Sequence, residues 1–139
     1  MRQTLLDTDV LSEILKGIHP RIAANANVYL LQWSHFSLSV ITLMEIAKGL
    51  HKVQRQDRLN QILSELAAHE IIDLNQQAAV LAGRIYADLE RTGQPIGRAD
   101  PMIAATALHR NLALATGNQT HYQRIIELGY PLELEDWKA

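Results

Sequence analysis

Apolar residues in this chain fall into short compact runs and longer stretches with helical spacing, and the two alternate. Thr4-Leu5-Leu6 is broken at once by Asp7-Thr8-Asp9, the pattern of a buried strand that delivers polar side chains at its end. Val10 to Lys16 reads as a short helix, with Asp9 as a candidate N-cap and Gly17 where a left-handed cap belongs. His19-Pro20 restarts the chain, and a helix is predicted over Arg21 to Trp33. Phe36 to Val40 alternates apolar residues with serine and predicts a second strand. Thr42-x-x-Glu45 matches a capping box and opens a helix to about Leu50. Leu59, Ile62, Leu63 and Leu66 mark one face of a further helix.

Glu70 to Leu74 is a third strand candidate, and Leu74, Ala78, Leu81, Ile85 and Leu89 trace a long amphipathic helix ending at Gly93. A loop over Gln94 to Arg98 leads to Asp100-Pro101, an N-cap followed by proline at the first helical position. The helix beyond is apolar almost all round, so it should be buried. Leu112 to Thr116 predicts a fourth strand, followed by a short helix over Tyr122 to Leu128 and a last strand over Pro131 to Leu134. Strands alternating with helices give an α/β class: a mostly parallel sheet of four to five short strands, flanked by helices on both faces.

At 139 residues the chain has the size of one domain, expected to span 1–139, and its 47% hydrophobic content suffices for a core. It has no cysteine, which removes disulfide frameworks, thiolate metal sites and cysteine nucleophiles. The opening residues reach Asp7 and Asp9 too soon for an export signal, and no run is apolar enough to span a membrane, so a cytoplasmic protein is expected. Net charge is −2, with seven charges of each sign in residues 1–70 and six basic against eight acidic in 71–139. That balance argues against a globally basic nucleic-acid binder. A polyanion would need a local patch or metal ions.

Ligands of parallel sheets sit beyond the carboxyl ends of the strands. Asp7 and Asp9 follow the first predicted strand, Glu45 comes one turn after the second, Asp100 opens the buried helix, and Asn118 and His121 follow the fourth. Carboxylates gathered at one edge repel each other, and a hard divalent cation with oxygen ligands is the usual remedy. Mg²⁺ or Mn²⁺ in such a site can orient a phosphodiester and activate water. Asp9 and Asp100 also read as plain caps.

Lys48, Lys52 and Arg55 fall at i, i+4 and i+7, beside His51, which fits either a phosphate-binding stripe or a solvated helix face. The six histidines form no HxxxH or HExxH pair, so no zinc site is expected. Trp33 and Trp137 read as packing residues. Ile14, Ile22 and Leu30 are candidates for an apolar surface that accepts a partner segment.

Four stretches resemble the motifs of PIN-domain proteins, in particular the VapC-type toxins of bacterial toxin–antitoxin pairs. They are Leu5 to Glu13, Ser39 to Gly49, Gly93 to Ala105 and Ala115 to Asn118, and the Glu135-Asp136-Trp137 ending is similar too. The resemblance implies a Mg²⁺- or Mn²⁺-dependent endoribonuclease, neutralised by a cognate antitoxin and often a homodimer. It implies that Asp7, Glu45 and Asp100 are the acidic triad, with Asp7 and Asp100 binding the metal directly and Glu45 directly or through water. Asn118 matches the family's amide position, and His121 stands where many relatives carry an acid, which makes it a possible ligand and favours Mn²⁺ over Mg²⁺.

Two other readings start from the same residues. Asp7-Thr8-Asp9 also resembles the opening of haloacid-dehalogenase-like phosphatases, with Asp7 as nucleophile. The late acidic pair and neighbouring lysine of those enzymes are missing: Asp100 is followed by apolar residues, and Lys138 is the only lysine after Lys52. The other reading is a non-catalytic PIN module that acts only through its partner.

Overall fold

In the computed structural model, which describes residues 1–139, Leu5 and Leu6 point to opposite faces of one strand and seed two separate cores. That strand, β1 (Thr4–Leu6), is flanked by β2 (Ser37–Ser39) and β4 (Ala113–Ala115). Outside these lie β3 (Glu70–Ile72) and β5 (Leu134–Glu135), so the order is β3-β2-β1-β4-β5 and every pairing is parallel. The expected α/β architecture holds, with all five strands parallel.

Helices α1 (Thr8–Lys16), α2 (Pro20–Trp33), α3 (Val40–Lys52) and α4 (Gln56–Leu66) supply one core, in which Leu6, Tyr29, Leu38, Ile62 and Trp137 meet. On the other face α5 (Gln76–Arg91), α6 (Asp100–His109) and α7 (Gln119–Glu127) pack Ile85, Ile103, Tyr122 and Ile125 around Leu5 and Leu114. The all-round apolar pattern of α6 does mean burial: Ile103, Ala104, Ala105 and Ala107 have no exposed surface. Gly17 ends α1 with φ 71, a left-handed conformation that glycine adopts without steric cost.

Several expected boundaries move, at α1 and α3 because a different oxygen satisfies the free N–H groups of the first turn. Asp7, not Asp9, is the N-cap of α1, and its side chain accepts from the Thr8 N–H. Ser39 caps α3 by accepting from the Ile41 N–H, so Thr42 lies inside the helix, fully buried, and the expected capping box does not form. Ala99 holds the N-cap position of α6 without a side-chain bond, which leaves the Asp100 carboxylate free of that role. Helix α7 begins at Gln119, earlier than Tyr122, and the last strand is Leu134–Glu135, later than Pro131 to Leu134. The strand is late because Leu114 and Ala115 pair with Leu134 and Glu135, and the Leu114 and Thr116 N–H groups donate to the Glu133 and Glu135 carbonyls.

Trp137 is buried as expected, whereas Trp33 packs only at the edge of its core and donates its indole N–H to the Met1 carbonyl. Ile22 is fully buried, and Ile14 and Leu30 pack against the core, so they are not the free apolar surface that the sequence suggested. The exposed apolar side chains in that region are Ile18, Val28 and Leu31. No helix is long and apolar enough to cross a membrane.

Candidate active site

From β1 the chain builds β2 and β3 to one side, then returns to build β4 and β5 on the other. The carboxyl ends of β1 and β4 therefore face a crevice at the point where strand order reverses, the usual ligand position of open parallel sheets. Asp7 leaves β1 there with only 3% of its surface exposed. Its Oδ1 accepts the Thr8 N–H at 2.8 Å and its Oδ2 accepts the Thr116 hydroxyl at 2.7 Å. Thr116 leaves β4 at the same level, and its Oγ1 also accepts the Asn118 N–H.

Asp100 reaches the same crevice from the first turn of α6. Its Oδ1 accepts the Tyr122 hydroxyl at 3.2 Å, and His121 Nδ1 lies 3.4 Å from its Oδ2. The Tyr122 ring is fully buried and its hydroxyl lies against both Asp7 and Asp100, so one tyrosine spans the two acids. The 94–99 loop passes so close that a Cβ at Gly97 would stand 3.3 Å from Asp100 Oδ2. Any side chain at Gly97 would crowd that carboxylate.

Burial, reinforced by the charges of Asp9 and Asp100, pushes the Asp7 carboxyl up to about 7, although the Thr116 and Thr8 donors pull the other way. Burial also raises Asp9, held in check by the Gly117 and Val10 N–H groups and by Lys138. Tyr122 is raised as well, first by burial and then by the neighbouring Asp7 and Asp100 charges. A nearly buried carboxyl beside like charges, with one donor on each oxygen, has lone pairs left for a cation.

The donor set fits a hard divalent ion in part. No three acidic or imidazole side chains converge closely enough to form a ready-made cage, so direct ligation by Asp7, Glu45 and Asp100 together is not preformed. Glu45 is instead turned toward α1, where its Oε1 accepts the Thr8 hydroxyl at 2.6 Å, and Thr42 completes that chain of bonds. Asp7 and Asp100 are the converging pair, and Mg²⁺ commonly takes one or two carboxylates with waters completing its shell.

Of the remaining expected residues, Asn118 is exposed at the start of α7 with no side-chain bond. His121 lies beside Asp100, as a possible ligand must. Asp9 is more committed than a cap. Its Oδ1 accepts the Val10 N–H and its Oδ2 accepts the Gly117 N–H at 2.8 Å, which ties α1 to the end of β4.

The basic stripe is partly revised. Lys48 and Lys52 do line one cleft, of about 620 Å³, that opens beside Glu45 between α3 and the start of α6. Arg55 does not join them, because it lies at the N-terminus of α4 and binds Asp57 with two of its guanidinium nitrogens. Its place is taken by Arg98 from the 94–99 loop. Thr116, Tyr122 and Arg98 are the residues that sequence reasoning passed over. A polar side chain closing the fourth predicted strand was a usable signal for Thr116, whereas the other two depend on packing.

Residues 4–125 match the PIN domain family. The chain is 33% identical over 138 residues to the tRNA(fMet)-specific endonuclease VapC of Salmonella typhimurium, covering 99% of both proteins. It is 31% identical over 137 residues to Ribonuclease VapC2 of Rickettsia felis, covering 96% of both. Among solved structures it resembles the DNA-bound VapBC complex from Salmonella typhimurium, with TM-score 0.81, 32% identity and 99% coverage of each chain. VapBC-1 from nontypeable Haemophilus influenzae gives TM-score 0.81 at 27% identity, covering 98% of each chain. With that match over most of its length and these identities over nearly all of it, the chain belongs to the PIN-domain family, among its VapC members.

Proposed function

We propose that this chain is the ribonuclease toxin of a toxin–antitoxin pair, hydrolysing RNA phosphodiester bonds with the help of Mg²⁺ or Mn²⁺. The observation that carries this reading is the convergence of Asp7 and Asp100 in a crevice bordered by a cation-lined cleft. A divalent ion held by Asp7 and Asp100 would supply charge compensation at the phosphate and activation of water. Thr116 and Tyr122 keep the two carboxylates aimed at that position, and Thr8 keeps Glu45 at its edge. Asn118, exposed two residues beyond Thr116, holds a water or a phosphate oxygen in this reading. Lys48, Lys52 and Arg98 hold the RNA backbone in the cleft.

The partner is a cognate antitoxin, as the VapBC complexes among the structural neighbours suggest for this chain. A second cleft of about 300 Å³ runs between α1, α3 and α4 and ends at Glu45, with Leu15, Ile46, Leu50 and Ile62 along its walls. An apolar helical segment seated there would reach the catalytic edge. The phosphatase alternative loses its ground with the family assignment, since no late acidic pair accompanies Asp100.

The test is cleavage by the purified, antitoxin-free chain. Initiator tRNA, a single-stranded RNA and a phosphate monoester are incubated with Mg²⁺, Mn²⁺ or EDTA. RNA cleavage that needs the metal and disappears in Asp7→Asn supports the proposal. Cleavage of the monoester alone would restore the phosphatase reading, and no cleavage at all would favour a module that acts only through its partner.

His121 adds a metal preference. Its imidazole beside Asp100 offers a ligand softer than a carboxylate, so Mn²⁺ should support faster cleavage than Mg²⁺ at equal concentration. His121→Asp should narrow that gap. Superimposable Mg²⁺ and Mn²⁺ titrations of the native protein would place His121 outside the metal's reach.

A further inference from the structure

Eight of the 13 cationic side chains engage a carboxylate, a carbonyl or an amide oxygen of the protein itself. Five engage none: Lys48, Lys52, Arg84, Arg98 and Lys138. Lys48, Lys52 and Arg98 share the cleft beside Glu45. Arg84 lies with Gln76, Gln77 and Val80 on the outer face of α5. Lys138 is the one whose position no reading of the sequence explains.

The backbone around Lys138 is fixed although its side chain is exposed. Trp137 is buried in the core beneath it, and the Trp137 carbonyl accepts the Asn25 amide at 2.9 Å. The Lys138 N–H donates to Asp136 Oδ1 at 3.0 Å. Held this way, the Lys138 ammonium passes over Gly117 at the end of β4. A Cβ at Gly117 would stand 3.0 Å from Lys138 Nζ and 2.5 Å from Asp9 Oδ2. No ion pair within 4 Å forms: the ammonium lies beside Gly117, near enough to favour the ionised Asp9 carboxylate, with its own donors unused by the protein.

Sheet order places this cation across the site from the others. Lys48 and Lys52 lie on α3, which follows β2 on one side of β1. Lys138 follows β5 and overhangs β4 on the other side. The carboxylates of Asp7 and Asp100 are between them. Cations on either side of the acids offset the repulsion that those acids impose on the phosphates of a strand crossing them.

We propose that Lys138 binds an RNA phosphate on the β4 side of the cleavage point, opposite the cleft of Lys48, Lys52 and Arg98, so that the substrate is gripped on both sides of the acids. This rests on the ribonuclease reading and adds the path of the substrate across the site. Free cations on both flanks hold the intervening phosphodiester over Asp7 and Asp100 without a generally basic surface, which the net charge of −2 rules out.

The test uses native protein, Lys138→Gln, Lys138→Arg and Arg84→Gln as a control, each bound to labelled initiator tRNA in EDTA over a range of salt concentrations. Loss of one phosphate contact should lower the slope of log affinity against log salt by about 0.7 to 0.9. At 0.1 M salt that is about a five- to eightfold weaker affinity for Lys138→Gln. Lys138→Arg and Arg84→Gln should follow the native protein, and all four should melt alike. An unchanged slope in Lys138→Gln, in a preparation whose native form cleaves the tRNA once metal is added, would make Lys138 a counter-ion of Asp9 and overturn the proposal. A lower melting temperature in Lys138→Gln would overturn it too, by showing a structural role. If the native protein neither binds nor cleaves tRNA, the ribonuclease reading fails first and this path fails with it.

Discussion

Asp7 is a buried carboxyl among like charges, and its environment predicts a measurable pH dependence. The folded chain raises this carboxyl from 3.8 to about 7, so the folded state holds the proton more tightly than the unfolded one. The stability linked to that proton is complete below about pH 4 and is lost as pH rises through 7. In EDTA, native protein should therefore lose stability relative to Asp7→Asn between pH 5 and pH 8, by on the order of 3 kcal/mol. Paired thermal melts check this, and parallel curves would show that Asp7 is ionised in both states. Asp7→Asn should also abolish cleavage, since the amide keeps the shape but not the charge. Asp7 was legible in the sequence because a carboxylate closing a short apolar run needs a partner. Its partners were not, because Thr116 is 109 residues away and only the β1–β4 pairing brings them together.

Single elements show why local patterns found the helices yet misplaced their caps. Periodicity reports which face is buried, and that face is fixed over a whole helix. A cap is a contest among neighbouring oxygens for a few N–H groups, decided by where the strand before it ends. Ser39 wins at α3 because β2 stops there, which leaves Glu45 free to meet Thr8. At α6 the outcome changes a mutational expectation. If Asp100 were the cap, Asp100→Ser would be about 1 kcal/mol more stable than Asp100→Ala. With Ala99 in that position, both variants should be equally stable within a few tenths of a kcal/mol and equally inactive. Chemical denaturation of the two side by side settles it. The basic cleft belongs to this scale too, because it is built where α3 meets the loop before α6. Replacing Lys48, Lys52 and Arg98 together by Gln should lower the salt slope of RNA binding by about two to three. Replacing Arg55 by Gln should leave that slope alone, since its guanidinium is already taken by Asp57.

Across the whole molecule, the α/β class and the order of elements followed from alternation of strand-like and helix-like stretches, while the placing of charges did not. Lys138 and Arg98 stand in unremarkable sequence contexts, and only the fold brings them beside Asp9 and Glu45. The central position of the first strand has a further consequence, in the time it takes this protein to become itself. Leu5 pairs with Ser37 on one side but with Leu114 on the other, a separation of most of the chain. Closing so long a loop is slow compared with forming helices, and it is the step that seats Asp7 beside Thr116. A nascent chain that has exposed only α1 through α5 to solvent carries the motif of Asp7 but no second wall for it. The wall that Thr116 supplies to Asp7 therefore forms only once Ala113–Ala115 has paired with the first strand, late in the order of the chain.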